Sequence, residues 1–334
     1  MNLAIIGFGN VGRAFVRILL ERKQDLEKRY GFQNKIIAIF ELNGAFINEA
    51  GLNLKEFIDL DPTQFKNNKN WKSKVTANNL IPQLNMDTVI ELTHTNVKTG
   101  EPGLSHIKTA LNNGKHVVTA NKGPLAIAFP ELKELAKKNN CHLRFEATTG
   151  GAIPVFHLAE TALMGNNIIS IKGILNGTSN FILTQMSRQN VPFSIALKEA
   201  QELGYAEADP SLDVDGIDAA CKIVIIANSI LNQRVTLSDV KINGIREVTK
   251  DAIELAREDG YVIRHIASAE DGKLEASPRL VPANSTFAIE GTQNLIKLET
   301  DLAKEIFIIG RGAGGKEATS AIISDLLYIH KKLE

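Results

Sequence analysis

The sequence predicts an α/β fold in which helices cover both faces of an N-terminal parallel sheet and a second domain of α+β type follows. Three observations predict it. The first third of the chain alternates short apolar runs with helix-length amphipathic stretches, the pattern of repeated strand-helix-strand units. A glycine-rich turn, Gly7-Phe8-Gly9-Asn10-Val11-Gly12, joins the first apolar run to the first helical pattern. At 334 residues, the chain is longer than one hydrophobic core usually holds.

Taken in order, strands are expected at residues 3–6, 36–40, 88–92, 116–119 and 143–146, with helices at 11–22, 103–112 and 130–139. Residues 23–34 extend the first helix and its loop. Residues 61–79, rich in Asn and Lys, read as a solvated excursion. From Glu146 the texture changes to glycine-rich turns, helical patterns at 194–203 and 216–231, and strand-like runs after Tyr261. Near the end an apolar strand at 305–309 precedes Gly310-Arg311-Gly312-Ala313-Gly314-Gly315 and a helical pattern at 317–327. The expected organisation is therefore a first domain over 1–145, a second over 146–304, and a segment 305–334 returning to the first.

Composition removes several classes. Lys plus Arg and Asp plus Glu both count 38, so no net charge draws the chain to nucleic acid or an anionic membrane. Apolar runs are too short to cross a bilayer, and no basic, apolar leader opens the chain. Cys141 and Cys221 have neither metal-type spacing nor the number a disulfide framework needs, which fits a cytoplasmic protein.

The G-x-G-x-x-G turn stands where a dinucleotide loop requires it, after a buried strand and opening a helix. Gly7 permits the tight turn, Gly9 lets a pyrophosphate approach the backbone, and Gly12 lets helix and strand pack closely. Helix amides and dipole then face the phosphates. This makes the N-terminal domain Rossmann-type. At the end of the second strand Glu41 is the candidate for the ribose hydroxyls, and residues 41–53 hold no Lys or Arg, which leans toward NAD over NADP. Beyond the strand at 116–119, Lys122 stands at the carboxyl end of a parallel strand, where doubly wound sheets bind ligands.

Between Leu203 and Lys222 lie five carboxylates, Glu207, Asp209, Asp213, Asp215 and Asp218. Asp213 and Asp215 stand where acids favour a helix start. Asp218 and Lys222 are four residues apart on one helical face, among Ala219, Ala220, Ile223, Val224 and Ile226. An exposed pair of this kind is worth only about 0.3–0.5 kcal/mol. Apolar neighbours on most sides predict burial, and a buried charged pair points to function.

These segments resemble the homoserine dehydrogenase family over nearly the whole chain. The resemblance rests on Leu203-Gly204-Tyr205-Ala206-Glu207-Ala208-Asp209-Pro210 with Asp213, Gly216, Asp218 and Lys222. It is supported by Ile174-Leu175-Asn176-Gly177-Thr178-Ser179-Asn180-Phe181, Ala120-Asn121-Lys122 and Glu146-Ala147-Thr148-Thr149-Gly150-Gly151-Ala152-Ile153-Pro154. It implies reversible oxidation of L-homoserine to L-aspartate 4-semialdehyde with NAD or NADP, a step toward threonine and methionine. By the same resemblance Lys222 is the catalytic acid/base, Lys122 is a second candidate, and Glu207 and Asp218 hold the substrate's amino and hydroxyl groups. Cofactor contacts are implied for Asn10, Val11, Gly12, Thr93, Lys122 and Gly314. A monovalent cation such as sodium is implied at Glu146, Thr149, Gly151 and Ile153, and a homodimer through the second domain's sheet.

The sequence departs from the family pattern at Thr149 and Ala152, where an apolar residue and often glycine are expected. The terminal glycine loop is one residue longer before Thr319. A regulatory extension carried by many relatives is not expected here. Two rival readings remain at this point. An aspartate-semialdehyde dehydrogenase needs a nucleophilic cysteine with a basic partner, which neither Cys141 nor Cys221 resembles. A catalytically silent nucleotide-sensing protein of the same fold does not need Glu207, Asp218, Lys122 and Lys222 together.

Overall fold

The structure, a computed structural model, describes residues 1–333. It divides into two compact units, one of residues 1–148 with the segment from Gly314 onward, the other Thr149–Ala313. The first unit holds a seven-stranded sheet of β1 (Asn2–Ile6), β2 (Lys35–Glu41), β3 (Gly44–Ile47), β4 (Trp71–Ser73), β5 (Thr88–Glu91), β6 (His116–Thr119) and β7 (Leu143–Arg144). Their order is β4-β3-β2-β1-β5-β6-β7, parallel from β2 to β7, with β3 and β4 antiparallel at one edge. Leu3, Ala4, Ile5, Val89, Ile90, Val117 and Val118 are fully buried. Continuous apolar strands of this kind need both sheet faces covered.

Helices α1 (Asn10–Tyr30), α2 (Ala77–Leu80), α3 (Gly103–Asn112) and α4 (Lys122–Lys138) belong to this unit. α1 runs well past the apolar pattern read as 11–22, ending at Gly31, whose left-handed backbone returns its N–H to Leu26 and Glu27. α4 starts eight residues before the expected Pro130, at Lys122, where the Asn121 side chain caps it by accepting from the Gly123 N–H at 3.1 Å. A non-helical kink at Ala128 accommodates Pro130 within the helix.

The reading of 61–79 as a solvated excursion holds for most of its side chains, which are exposed, but Phe65 and Ala77 are buried. The stretch forms a 3-10 turn, Pro62–Asn67, and the edge strand β4. Phe65 and Trp71 join Phe46 and Phe57 in edge-on ring contacts around Phe46, with centroids 4.8–5.1 Å apart. Two isolated aromatics among Asn and Lys carry no periodicity, so the cluster exists only in three dimensions.

The second unit carries a six-stranded sheet of β8 (Ile168–Ile174), β9 (Val240–Ile242), β10 (Tyr261–Glu270), β11 (Lys273–Pro282), β12 (Gln293–Thr300) and β13 (Lys304–Arg311), ordered β13-β12-β8-β10-β11-β9. All pairs are antiparallel except β11 with β9. Its helices are α5 (Val155–His157), α6 (Gly177–Gln189), α7 (Phe193–Glu202), α8 (Ser211–Val214), α9 (Ile217–Ile230) and α10 (Lys250–Glu258). α9 is buried continuously from Ala219 to Asn228, as a helix apolar on all sides should be.

The chain returns to the first unit as α11 (Gly315–Leu333), which buries Ile322, Leu326 and Ile329 beside Phe15 and Leu19. Asp325, fully buried, pairs with Arg144 at 3.1 Å. The return begins at Gly314 and not at Glu305, because the strand at Lys304–Arg311 closes an antiparallel hairpin with β12 from Thr300 to Gln293. Among the described residues, no helix is long and apolar enough to cross a membrane.

Candidate active site

The first unit's candidate site is made of backbone. Gly7 has φ +93°, and a Cβ there would lie 2.8 Å from the Leu92 carbonyl oxygen. A Cβ on Gly12 would lie 2.6 Å from the Gly7 carbonyl, whereas one on Gly9 would meet nothing within 4 Å. The loop thus packs tightly at its two ends and stays open in the middle, where phosphate would approach. Asn10 and Val11 form the first turn of α1, with Gly9 as its N-cap and no capping hydrogen bond from a side chain among the described residues. At the end of β2, Glu41 Oε1 accepts the Phe8 N–H at 2.7 Å, so the acid is already held against the loop. Gly314 opens α11, and its neighbour Gly315 abuts Ala14, with a would-be Cβ 3.1 Å from the Ala14 Cβ.

Beneath this loop lies a buried carboxylate. Glu91, fully buried at the end of β5, accepts from the Thr93 N–H at 3.1 Å, from the Thr93 hydroxyl, and from the Thr119 hydroxyl at 3.3 Å. The Asn121 amide donates to Thr93 Oγ1 at 3.2 Å while its oxygen caps α4, whose first residue is Lys122. One acid therefore ties together the two loops that carry Thr93 and Lys122.

The second unit's candidate site is made of side chains. Lys222 Nζ lies 2.8 Å from Asp218 Oδ2, with side-chain exposures of 8% and 12%, and donates to the Leu175 carbonyl at 2.6 Å. The Asn176 amide nitrogen donates to Asp213 Oδ1 at 2.7 Å and to Asp218 Oδ2 at 2.9 Å. Burial, reinforced by the neighbouring Asp218, pushes the Asp213 carboxyl above its ordinary value. Burial pulls His265 below the usual histidine value; the Asn243 carbonyl at its ring nitrogen and the charge of Asp218 oppose that shift. Glu207 is exposed on the loop after α7. That loop is fixed by the Thr178 hydroxyl donating to the Tyr205 carbonyl at 2.8 Å and by the edge contact of Phe181 with Tyr205.

Two family profiles match almost the entire chain, one described as "Homoserine dehydrogenase, NAD binding domain" over residues 7–146, the other as "Homoserine dehydrogenase" over residues 154–327. The chain belongs to the homoserine dehydrogenase family. Homoserine dehydrogenase of Methanocaldococcus jannaschii is 45% identical over 99% of this chain and 98% of its own length. A protein of Pseudomonas canavaninivorans named NAD(+)-dependent homoserine dehydrogenase is 39% identical, covering 99% and 96%. The crystal structure of a putative homoserine dehydrogenase from Archaeoglobus fulgidus superposes with a TM-score of 0.90 at 42% identity, covering 98% of this chain and 99% of that one.

As a homoserine dehydrogenase, the chain is an NAD(P)-dependent oxidoreductase interconverting L-homoserine and L-aspartate 4-semialdehyde, in the route to threonine and methionine. Of the candidate site residues read from the sequence, the structure joins Lys222 to Asp218, and Glu41 to the glycine loop. Glu146 belongs to the first unit, and Thr149, Gly151 and Ile153 to the second. In that turn the Thr149 hydroxyl is buried without a hydrogen-bond partner, Gly151 has φ +56°, and the Ile153 N–H donates to the Gly150 carbonyl at 2.9 Å.

Asp213, read as an acid at a helix start, stands in the first turn of α8 and also accepts from Asn176, whereas Asp215 ends that helix and pairs with Arg246. Sequence reasoning also missed Glu91, Asn176 as a ligand of two carboxylates, and the Leu175 carbonyl. Glu91 left a signal, since an acid closing an otherwise apolar, doubly covered strand must be buried.

Proposed function

We propose that this reaction runs with Lys222 as the residue that moves the substrate proton. The observation that carries the reading is the buried Lys222–Asp218 pair. Such a pair commonly stabilises a fold no better than well-packed apolar side chains of the same volume, so chemistry accounts for it better than stability does. Held at Gly7, Gly9 and Gly12 with Thr93 and Lys122, a nicotinamide cofactor would supply hydride exchange with the alcohol carbon. In oxidation, Lys222 accepts the hydroxyl proton as the neutral amine and becomes the ammonium. In reduction, its ammonium stabilises the charge growing on the aldehyde oxygen and donates the proton. Asp218 and Glu207 hold the hydroxyl and the amino group, roles that suit carboxylates accepting charge-assisted hydrogen bonds. Lys122 is the second lysine assigned to substrate and nicotinamide.

The cofactor is assigned to Gly7, Gly9, Asn10, Val11, Gly12, Glu41, Thr93, Lys122 and Gly314, on the support of the open cradle at Gly9. A carboxylate at Glu41 accepts from ribose hydroxyls and repels a 2′-phosphate, which favours NAD. A monovalent cation such as sodium is assigned to Glu146, Thr149, Gly151 and Ile153; the unpartnered Thr149 hydroxyl supports it, and oxygen donors suit a hard ion. Phe307 and Ile309, exposed on β13 at 36% and 45%, support a homodimer through the second unit's sheet. Two free cysteines support a cytoplasmic location.

Initial rates with L-homoserine against NAD and against NADP test the reading. Turnover with both and a higher kcat/KM for NAD is expected. A clear preference for NADP contradicts the role of Glu41.

A further inference from the structure

We infer that Asn176 is a positioning residue for this reaction: its side-chain amide clamps Asp213 and Asp218 side by side, and thereby sets the place and charge of the Asp218–Lys222 pair. The inference rests on the reading of Lys222 and Asp218 given above. Asn176 is 5% exposed and stands where β8 passes into α6. Its oxygen caps α6 by accepting the Ser179 N–H at 2.8 Å, and its nitrogen spends its two protons on Asp213 Oδ1 and Asp218 Oδ2. The three bonds fix the orientation of the amide, since exchanging its oxygen and nitrogen would break all of them.

Capping alone does not ask for asparagine. Asn, Asp and Ser cap a helix about equally well, but of these three only Asn combines the cap with two N–H groups on one nitrogen. Here those two groups sit between like charges. Asp213 and Asp218 disfavour each other's ionised form, and a donor shared between them offsets that repulsion. The same Asp218 oxygen that takes the amide also takes Lys222 Nζ. The carboxylate cannot turn away from the lysine without breaking the hydrogen bond that the Asn176 amide donates to it. The residue preceding the clamp, Leu175, supplies the carbonyl that holds Lys222 from its other side, so a single turn of chain grips both members of the pair. The titratable groups facing the clamp from the elements around it are Asp213 on α8, Asp218 and Lys222 on α9, and His265 on β10.

Asn176→Asp separates the two duties of this side chain. It keeps an acceptor for the α6 cap, removes both donated bonds and adds a third carboxylate. Asn176→Ser keeps a cap and is too short to bridge the acids, without adding charge. The measurements are kcat/KM for L-homoserine from pH 6 to 10, the thermal midpoint, and NADH binding by fluorescence for the purified full-length chain and both variants.

The inference expects NADH binding to be unchanged in both. It expects the acid limb of the Asn176→Asp profile to move up by about one pH unit, on the order of a tenfold loss of kcat/KM on that limb, with a smaller move in the same direction for Asn176→Ser. The sign follows from charge: an added negative neighbour favours the protonated form of the groups around it. A limb that stays in place in both variants overturns the inference, as does a loss that is uniform across pH and follows the fall in thermal midpoint. Lys222→Ala measured alongside separates the two levels. Full turnover in Lys222→Ala overturns the parent reading, whereas an inactive Lys222→Ala beside an unshifted Asn176→Asp overturns only the role of Asn176.

Discussion

The two units solve recognition with different materials. The first presents backbone: glycines that would clash if given a Cβ, a helix end with no capping hydrogen bond from a side chain among the described residues, and one acid held against the loop. The second presents side chains: a lysine, two aspartates and an asparagine bonded to one another within a largely buried helix and the elements against it. A backbone site tolerates many side chains but almost no change of glycine, so a short pattern announces it. A side-chain site tolerates the surrounding sequence but no change in its polar members, and long-range pairing hides it. Binding of cofactor and movement of the proton should therefore fail separately.

The largest expected effect is in the second unit. Asp218→Ala leaves Lys222 buried beside the Leu175 carbonyl without its carboxylate, and removing one partner of a buried pair costs about 3–5 kcal/mol. The urea midpoint should fall accordingly, and homoserine turnover should be lost. Stability unchanged within error would mean the pair is solvated. In the first unit, Gly12→Ala puts a methyl 2.6 Å from the Gly7 carbonyl, an overpacking of about 1–3 kcal/mol. Its signature should be a raised KM for NAD with the KM for homoserine nearly unchanged, and equal rises in both would blur the division between the units.

A smaller effect is expected from Glu41→Gln. It keeps an acceptor for the Phe8 N–H but loses the charge, so the ratio of kcat/KM for NAD over NADP should fall several-fold, by about 1 kcal/mol. An unchanged ratio would place cofactor choice elsewhere.

The smallest effect is shared. His116 and His142 in the first unit and His265 in the second are all pushed below the ordinary histidine value of 6.5, each chiefly by burial. The unfolded chain then binds more protons than the folded one below that value. Stability present above about pH 6.5 is lost as the pH falls through the depressed folded values. Denaturation midpoints should decline from pH 7.5 to 5.5, and less steeply in His265→Gln than in the parent. A flat profile would show that these histidines titrate normally in the fold.

The same division explains what the sequence disclosed. The glycine loop, the apolar strands and the Asp218–Lys222 spacing are local patterns, and each survives in the chain as a string. Glu41 could be placed because it ends a strand whose start is marked. Asn176 could not be assigned its role, since its partners Asp213 and Asp218 lie 37 and 42 residues away. Glu91 likewise draws on Thr119 across 28 residues. β3 and β4 escaped because they are short strands, four and three residues long, whose aromatic cluster is assembled from four separate stretches of chain. The strand β13 was placed with the wrong unit because apolar alternation identifies a strand without naming the neighbour it pairs with.

The central claim is that cofactor binding and proton movement are separable properties of the two units, with Lys222 responsible for the second. Lys222→Ala tests it in one preparation, by titrating NADH while following homoserine-dependent NADH formation. The account predicts NADH affinity within twofold of the parent and turnover reduced by roughly 10²–10⁴. Turnover near the parental rate, or affinity lost together with turnover, would contradict it.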